Sequence, residues 1–406
     1  MRMYRNILDP VITTRVAVIL AKFGVMTILF NKLTATDFVI YAQITSLSYF
    51  VAILLGCEFS LVTGKLIARS NYTNTESFKS HMLKLKFSSF VISISVFMLI
   101  FLFIDWSNFQ KFLSIIIIAS NFYWIERYKI SIYNNARNWV AACVFVRELS
   151  WCLPIILVYL TSMQLSLSIV LICWSGVMFA LALADWLFVI RAARGVSEIQ
   201  AMEINSLFLL VAVFSQVLFK VPTTFDRFLF EKYMDSSSLA SYSFSMSILL
   251  TGAAIFDAAY FSKITRRLMR GVDSGLTKSG VILVMSATLV FTYLWGGSVY
   301  YFSAEYLSAI FDKNLSFTYF WLAFVIFSYS IIVWVLSSIL LGFDLNYLSL
   351  VQKYFFLIFF IFWIFILWWD IKIIPWQAII SSLWFYLINS LLVFWLVQNR
   401  SRFVYR

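Results

Sequence analysis

Residues 11–31, VITTRVAVILAKFGVMTILFN, are apolar over the length of a membrane span, yet carry Arg15 and Lys22 inside the run. About 20 mostly apolar residues suffice to cross the hydrocarbon core of a bilayer as an α-helix. Reading outward from this stretch, comparable runs recur near 38–62, 87–104, 109–125, 139–160, 165–190, 204–221, 239–262, 279–302, 317–341, 350–368 and 376–397. The composition agrees: 62% of the 406 residues are apolar, 12% are charged and the mean hydropathy is +0.90, more apolar surface than a soluble domain of this size needs. The fold class expected is an all-α integral membrane protein of about twelve transmembrane helices.

Orientation follows from Lys and Arg, which accumulate on the cytoplasmic side of membrane proteins. With a cytoplasmic N-terminus, the outer segments hold Lys32, Lys111, Arg227, Lys232, Lys313 and Lys372. Arg15, Lys22, Arg147 and Lys220 fall within spans, and the remaining twenty-one of the 31 basic residues, Lys353 among them, fall in inner segments. The asymmetry favours an even number of helices with both termini inside. It also accounts for the net charge of +12 without a nucleic-acid partner, as topology signals beside anionic membrane lipids.

Other classes fall away on particular residues. Arg15 and Lys22 interrupt the first run and no small-residue cleavage site follows, so the run is expected to stay as a helix rather than be removed as a signal peptide. Cys57, Cys143, Cys152 and Cys173 lie in apolar runs without C-x-x-C spacing, and His81 is the only histidine, so neither a metal nor a catalytic dyad is expected. Gly64-Lys65 lacks the flanking residues of a phosphate-cradling loop, so transport by this chain would be secondary transport. The longest outer loop, about 222–238, is too short for a catalytic domain.

A cation at mid-bilayer costs about 2.5–3.5 kcal/mol on insertion scales and usually faces a protein-lined, hydrated space. At 1.5 Å per residue, Lys22 lies roughly 17 Å into its run, near mid-bilayer. Arg15 and Lys22 are seven residues apart, as are Lys220 and Arg227, and that step returns to nearly the same helix face. Each of the two helices is expected to show a basic stripe, a candidate binding surface for anionic cargo. Snorkelling of the stems to the interface is the alternative for Arg15 and Arg227. Pro222 removes a backbone hydrogen bond just past Lys220 and predicts a kink or break there. Arg147 is a further buried cation, with a structural pair to Glu148 or another acid as its alternative. Glu58, Asp185 and Asp257 are candidate proton or sodium coupling sites, or else partners of the cations.

The chain also shows an internal echo. Phe30-Asn31-Lys32-Leu33 precedes Tyr41 much as Phe230-Glu231-Lys232-Tyr233 precedes Tyr242, and the basic stretch 191–203 separates six runs from six. Two parallel halves, 1–200 and 201–406, are expected. The segment Thr223-Thr224-Phe225-Asp226-Arg227-Phe228-Leu229-Phe230, followed by Ser236-Ser237-Ser238-Leu239-Ala240-Ser241-Tyr242, resembles the connection from the seventh to the eighth helix in polysaccharide transporters and O-antigen flippases. Phe23-Gly24 and Leu33 to Tyr41 are similar to that family's first connection, though the usual glycines are replaced here by Ala240 or Ser241 and by the residue before Tyr41.

This resemblance implies two six-helix bundles around a central cavity, as in multidrug exporters of the MATE type, in the bacterial inner membrane. It implies a cargo of undecaprenyl-pyrophosphate-linked oligosaccharide moved from the cytoplasmic to the periplasmic leaflet, without a resident cofactor and with H+ or Na+ as the coupling ion to consider. A glycan polymerase and a chain-length regulator are the protein partners to consider. Arg15, Lys22, Lys220, Asp226 and Arg227 are the expected cargo-binding set. An integral-membrane glycan polymerase or ligase, and an ion-coupled exporter of small molecules, are the rival readings.

Overall fold

A computed structural model describes residues 10–56, 104–133, 137–161, 164–192, 218–219, 221–256, 278–302, 317–342, 346–368 and 375–398. Among these residues the chain is all helical, without strands. Its helices are α1 Pro10–Lys32, α2 Ala35–Gly56, α3 Asn108–Tyr133, α4 Arg137–Glu148, α5 Cys152–Leu160 and α6 Leu167–Ala192. After a π-helical turn, Val221–Phe225, come α7 Asp226–Phe230, α8 Ser236–Phe256, α9 Lys278–Phe302, α10 Phe317–Gly342, α11 Asn346–Trp368 and α12 Pro375–Gln398. Pro10 and Pro375 open α1 and α12, where the missing N–H has no intrahelical partner to lose. Among the described residues four helices are long and apolar enough to cross a membrane, within α1, α6, α9 and α10, and the bent pair α4–α5 makes a fifth if counted as one span.

Two compact units emerge from the internal contacts: Met1–Leu33 with Gln43–Gln216, and Thr34–Ala42 with Val217–Arg406. In the first, α1 packs on α4 and α5, and α3 packs on α4 and α6. The Asn121 amide on α3 donates to Ser48 Oγ on α2 at 3.1 Å, satisfying polar groups that apolar surroundings would leave unpaired.

In the second unit, α10 lies innermost against α8, α9, α11 and α12, and is buried on every side from Leu322 to Val333. A helix apolar all round is stable only there or in lipid. Its serines turn back on their own helix, Ser328 donating to the Phe324 carbonyl and Ser330 to that of Phe327, both at 2.7 Å. Tyr329 stacks on Phe385 of α12 with ring centres 4.1 Å apart. Phe38, from the stretch of α2 belonging to this unit, meets Phe244 of α8.

Outward faces are apolar as well. Trp384, Leu387, Ile388, Leu391 and Trp395 form one exposed stripe on α12, and Ile282, Leu283, Val290 and Leu294 expose apolar surface along α9. Stripes of this length are covered by hydrocarbon far more favourably than by water.

Where lipid surrounds helices, close packing at small residues replaces the hydrophobic drive between them. Gly252 of α8 lies against the Trp295 indole of α9, whose Nε1 donates to the Leu249 carbonyl at 3.2 Å, so a Cβ at 252 would collide with the ring. Gly252→Val should destabilise the protein by about 1–3 kcal/mol, through overpacking. By contrast, nothing lies within 4 Å of where a Cβ at Gly297 would go, and Gly297→Ala should stabilise by about 0.5–1 kcal/mol. Thermal unfolding of the two detergent-solubilised variants, followed by tryptophan fluorescence, should therefore shift in opposite directions.

Three expectations are corrected. The run 139–160 is not one straight helix: α4 ends at Glu148, α5 begins at Cys152 and the axis bends by 45°. Ser150 N–H reaches back five residues to the Phe145 carbonyl, widening the last turn, and Cys152 N–H then closes a tight turn on Leu149; Pro154 can give no N–H to continue the ladder. Second, α3 continues past the expected end at 125 to Tyr133, carrying Arg127 inside the packed unit rather than in a loop. Third, Lys353, counted among the inner-segment charges, is enclosed: in α11 it is 4% exposed, with its ammonium 5.9 Å from the centre of the Phe219 ring.

Candidate functional site

Charges carried by the apolar helices of the first unit converge on one carboxylate. Glu148 ends α4, and the turn after it is fixed: Cys152 Sγ donates to the Glu148 carbonyl at 3.3 Å, and Trp151 stacks on Trp174 of α6 with ring centres 4.8 Å apart. Its Oε2 takes the Lys22 ammonium of α1 in an ion pair. Its Oε1 takes Arg147 Nε and Nη2, each at 2.6 Å. The Tyr49 hydroxyl of α2 spans both oxygens at 2.8 and 2.9 Å, and accepts in turn from Lys22 at 3.4 Å. All the strong acceptor positions of the carboxylate are thus used.

Aromatic faces complete the enclosure. The Lys22 ammonium lies 5.8 Å from the Tyr49 ring centre, and the Arg147 guanidinium lies 6.0 Å from Tyr49 and 5.4 Å from Tyr128 of α3. At these separations a ring face adds attraction for the cation. Arg15, two turns before Lys22 on α1, donates to the Tyr128 hydroxyl, joining its end of the stripe to the same cluster. The Lys22 and Arg147 side chains keep 24% and 18% of their surface exposed against 8% for Glu148, so the cations, not the carboxylate, are open to a ligand. Two cations share one carboxylate, which leaves a positive balance in an apolar helical setting.

Asp185, a candidate coupling residue, is held in a separate pair. Arg127 meets it in a two-pronged contact, Nε to Oδ2 at 2.8 Å and Nη2 to Oδ1 at 3.2 Å, and the Tyr123 hydroxyl adds a bond at 2.6 Å. The Arg127 guanidinium lies 5.2 Å from the ring centre of Trp139 on α4, so this pair ties α3, α4 and α6 together.

In the second unit Asp226 and Arg227 are buried, 0% and 4% exposed. The Tyr242 hydroxyl donates to Asp226 Oδ2, and Arg227 Nη2 donates to Ser247 Oγ on α8 at 3.2 Å. The expectation that Arg227 lies near water is therefore corrected. The π-helical turn Val221–Phe225 leads directly into α7, where Arg227 points into the packing of α8. Lys220, Glu58, Asp257, Cys57 and His81 lie outside the described residues. Asp235 works differently: it caps α8, accepting from the Ser237 hydroxyl and from the Ser237 and Ser238 N–H groups at 3.1 and 3.2 Å. The side-chain bonds from Ser237 and Ser238 first, with the backbone bonds adding to them, bring its carboxyl pKa down to about 2.

Sequence reasoning found Arg15, Lys22, Arg147 and Glu148 but not the tyrosines that organise them. Nor did it find Arg127 as the partner of Asp185, although a carboxylate inside an apolar helix requires one. No group of metal-ligating side chains is present among the described residues. No family model, no curated protein and no solved structure matches this chain.

Proposed function

We propose that this protein is a multi-pass membrane flippase for lipid-linked oligosaccharides, and that Lys22 and Arg147 bind the diphosphate linking lipid to sugar. The observation that carries the reading is the sharing of Glu148 by two cations that keep part of their surface open, inside helices whose outer faces are apolar. A cation pair so placed is expensive unless an anion uses it. Arg15 extends the positive surface along α1, and the surrounding tyrosines offer faces on which sugar rings can stack. Glu58 and Asp257 remain candidates for H+ or Na+ coupling. The Arg127–Asp185 pair is read instead as a structural tie.

In the proposed arrangement twelve spans form two six-helix bundles in the bacterial inner membrane, with both termini cytoplasmic. Impermeant thiol reagents applied to intact cells should label single cysteines introduced beside Lys111 and Lys313, but not beside Lys79 or Arg270. Labelling of the latter pair would overturn the orientation.

Function is tested by clean deletion followed by analysis of lipid-linked glycans and the leaflet they occupy. Single unpolymerised units stalled on the cytoplasmic face are the expected result. Units displayed outside but left unpolymerised would instead identify a polymerase.

A further inference from the structure

We infer that Glu148 is a resident counter-anion of this site: it raises the threshold for every ligand of Lys22 and Arg147, so that a monovalent anion no longer holds them while a multivalent one still does. The inference rests on the reading of Lys22 and Arg147 as cargo-binding cations and concerns how they choose among anions.

The two oxygens of Glu148 divide their work, Oε2 to Lys22 and Oε1 to Arg147, with Tyr49 bridging both. Only part of each cation is open, so a ligand that takes both in full must displace that carboxylate. Glu148 competes as part of the chain, at high effective concentration and already oriented by the turn that Cys152 and Trp151 fix, so it does not incur the entropy loss of a free anion.

Displacing it costs the same whatever displaces it. Discrimination comes from what the newcomer returns to the two cations. A phosphodiester or a sugar carboxylate returns one negative charge, the same as was removed, and gains little. A diphosphate returns at least two, on two phosphorus centres that can serve Lys22 and Arg147 separately, and Coulomb attraction grows in proportion to that charge. Arg147 adds a planar fork suited to two phosphate oxygens, whereas Lys22 acts as a point charge.

The consequence is selective where selection is most needed. A bilayer presents anionic lipid headgroups in large excess, and the common phosphodiester ones carry a single charge. Without Glu148, Lys22 and Arg147 would be occupied by bulk lipid. With it, the site remains closed on itself until a lipid diphosphate arrives.

The test uses the full-length protein in detergent, titrated calorimetrically at fixed pH and ionic strength with inorganic pyrophosphate and, separately, dimethyl phosphate. Wild type should bind pyrophosphate at least about tenfold more tightly than dimethyl phosphate. Glu148→Gln keeps the size of the side chain and its capacity to bond Tyr49 while removing the charge. Because the displacement cost is common to both probes, it should tighten dimethyl phosphate and pyrophosphate alike, each by about tenfold, and bring dimethyl phosphate into the range that is bound. Glu148→Asp, whose shorter side chain retains the charge but draws back from Lys22, should tighten both probes by a smaller factor and serves if the Gln variant does not fold.

Equal binding of the two probes by wild type overturns the inference by itself, as does an unchanged affinity for both probes in a folded variant; in both cases the cation site stands. Folded wild type and variant that both ignore pyrophosphate would instead overturn the cargo-binding reading, and the inference with it.

Discussion

Arg127→Met alone should remove most of the protein from the membrane fraction, whereas Arg127→Met combined with Asp185→Leu should restore it. Asp185 has two prongs of Arg127 and one tyrosine hydroxyl as its partners, and its side chain is 7% exposed. Removing the guanidinium strands a carboxylate where water cannot reach it, and breaking a buried pair from one side costs about 3–5 kcal/mol. That loss is a large fraction of the stability of a typical folded chain. Replacing both partners by apolar side chains of similar volume removes the desolvation penalty together with the attraction and is often neutral. Asp185→Asn should fall between, because its amide can still accept from Arg127 but leaves the cation uncompensated. Abundance read from a fluorescent C-terminal fusion, with thermal unfolding of the purified variants, decides the matter. A single variant at wild-type abundance, or a double variant no better than the single ones, would show that the pair does not tie α3 to α6. Normal abundance with lost export in the double variant would return Asp185 to the coupling machinery.

The pair also shows where sequence reading stops. The helices were legible because their apolar runs match the length a span requires, and the starts of α1, α9, α10 and α12 fall within a few residues of those expected. Ends were less legible wherever a charge sat near them. Arg127 and Lys353 read as cytoplasmic-side charges because positive charge at the end of an apolar run is the ordinary mark of that side. Both are instead enclosed, Arg127 by Asp185 and Trp139, Lys353 beside the Phe219 ring.

The bend after Glu148 had a visible signal in Pro154, but the widened turn at Ser150 that completes it is set by backbone geometry no residue type announces. Tyr49, Tyr123, Tyr128 and Tyr242 were hidden for another reason. Tyrosines are abundant in membrane proteins as interfacial anchors, and only the tertiary fold brings these hydroxyls to charges far away in the chain. The arginines and lysines of the site could be read from the cost of placing them in lipid. Their organisation could not, because it depends on which helices become neighbours.

Lys22→Ala should reduce export at least about tenfold while leaving the protein inserted and abundant. The fold tolerates the change because Glu148 keeps Arg147 on Oε1 and Tyr49 across both oxygens, so no carboxylate is stranded. Insertion itself becomes easier by about 2–3 kcal/mol when a cation leaves the centre of a span. What is lost is the positive charge that Glu148 does not neutralise. With Lys22 gone, Arg147 and Glu148 balance each other and little remains to draw in a diphosphate. Lys22→Arg should keep part of the activity, since attraction across a partly hydrated site needs charge more than one donor geometry, although the planar head cannot reproduce the compact contact with Oε2 and Tyr49. Arg15→Ala should weaken export less, because Arg15 meets Tyr128 rather than Glu148, by its hydroxyl and its ring face. Export would be read as periplasmic display of the glycan, normalised to protein in the membrane fraction. Normal export by Lys22→Ala at normal abundance would make the Lys22–Glu148 pair a structural contact, and the cationic site would lose its claim on the cargo.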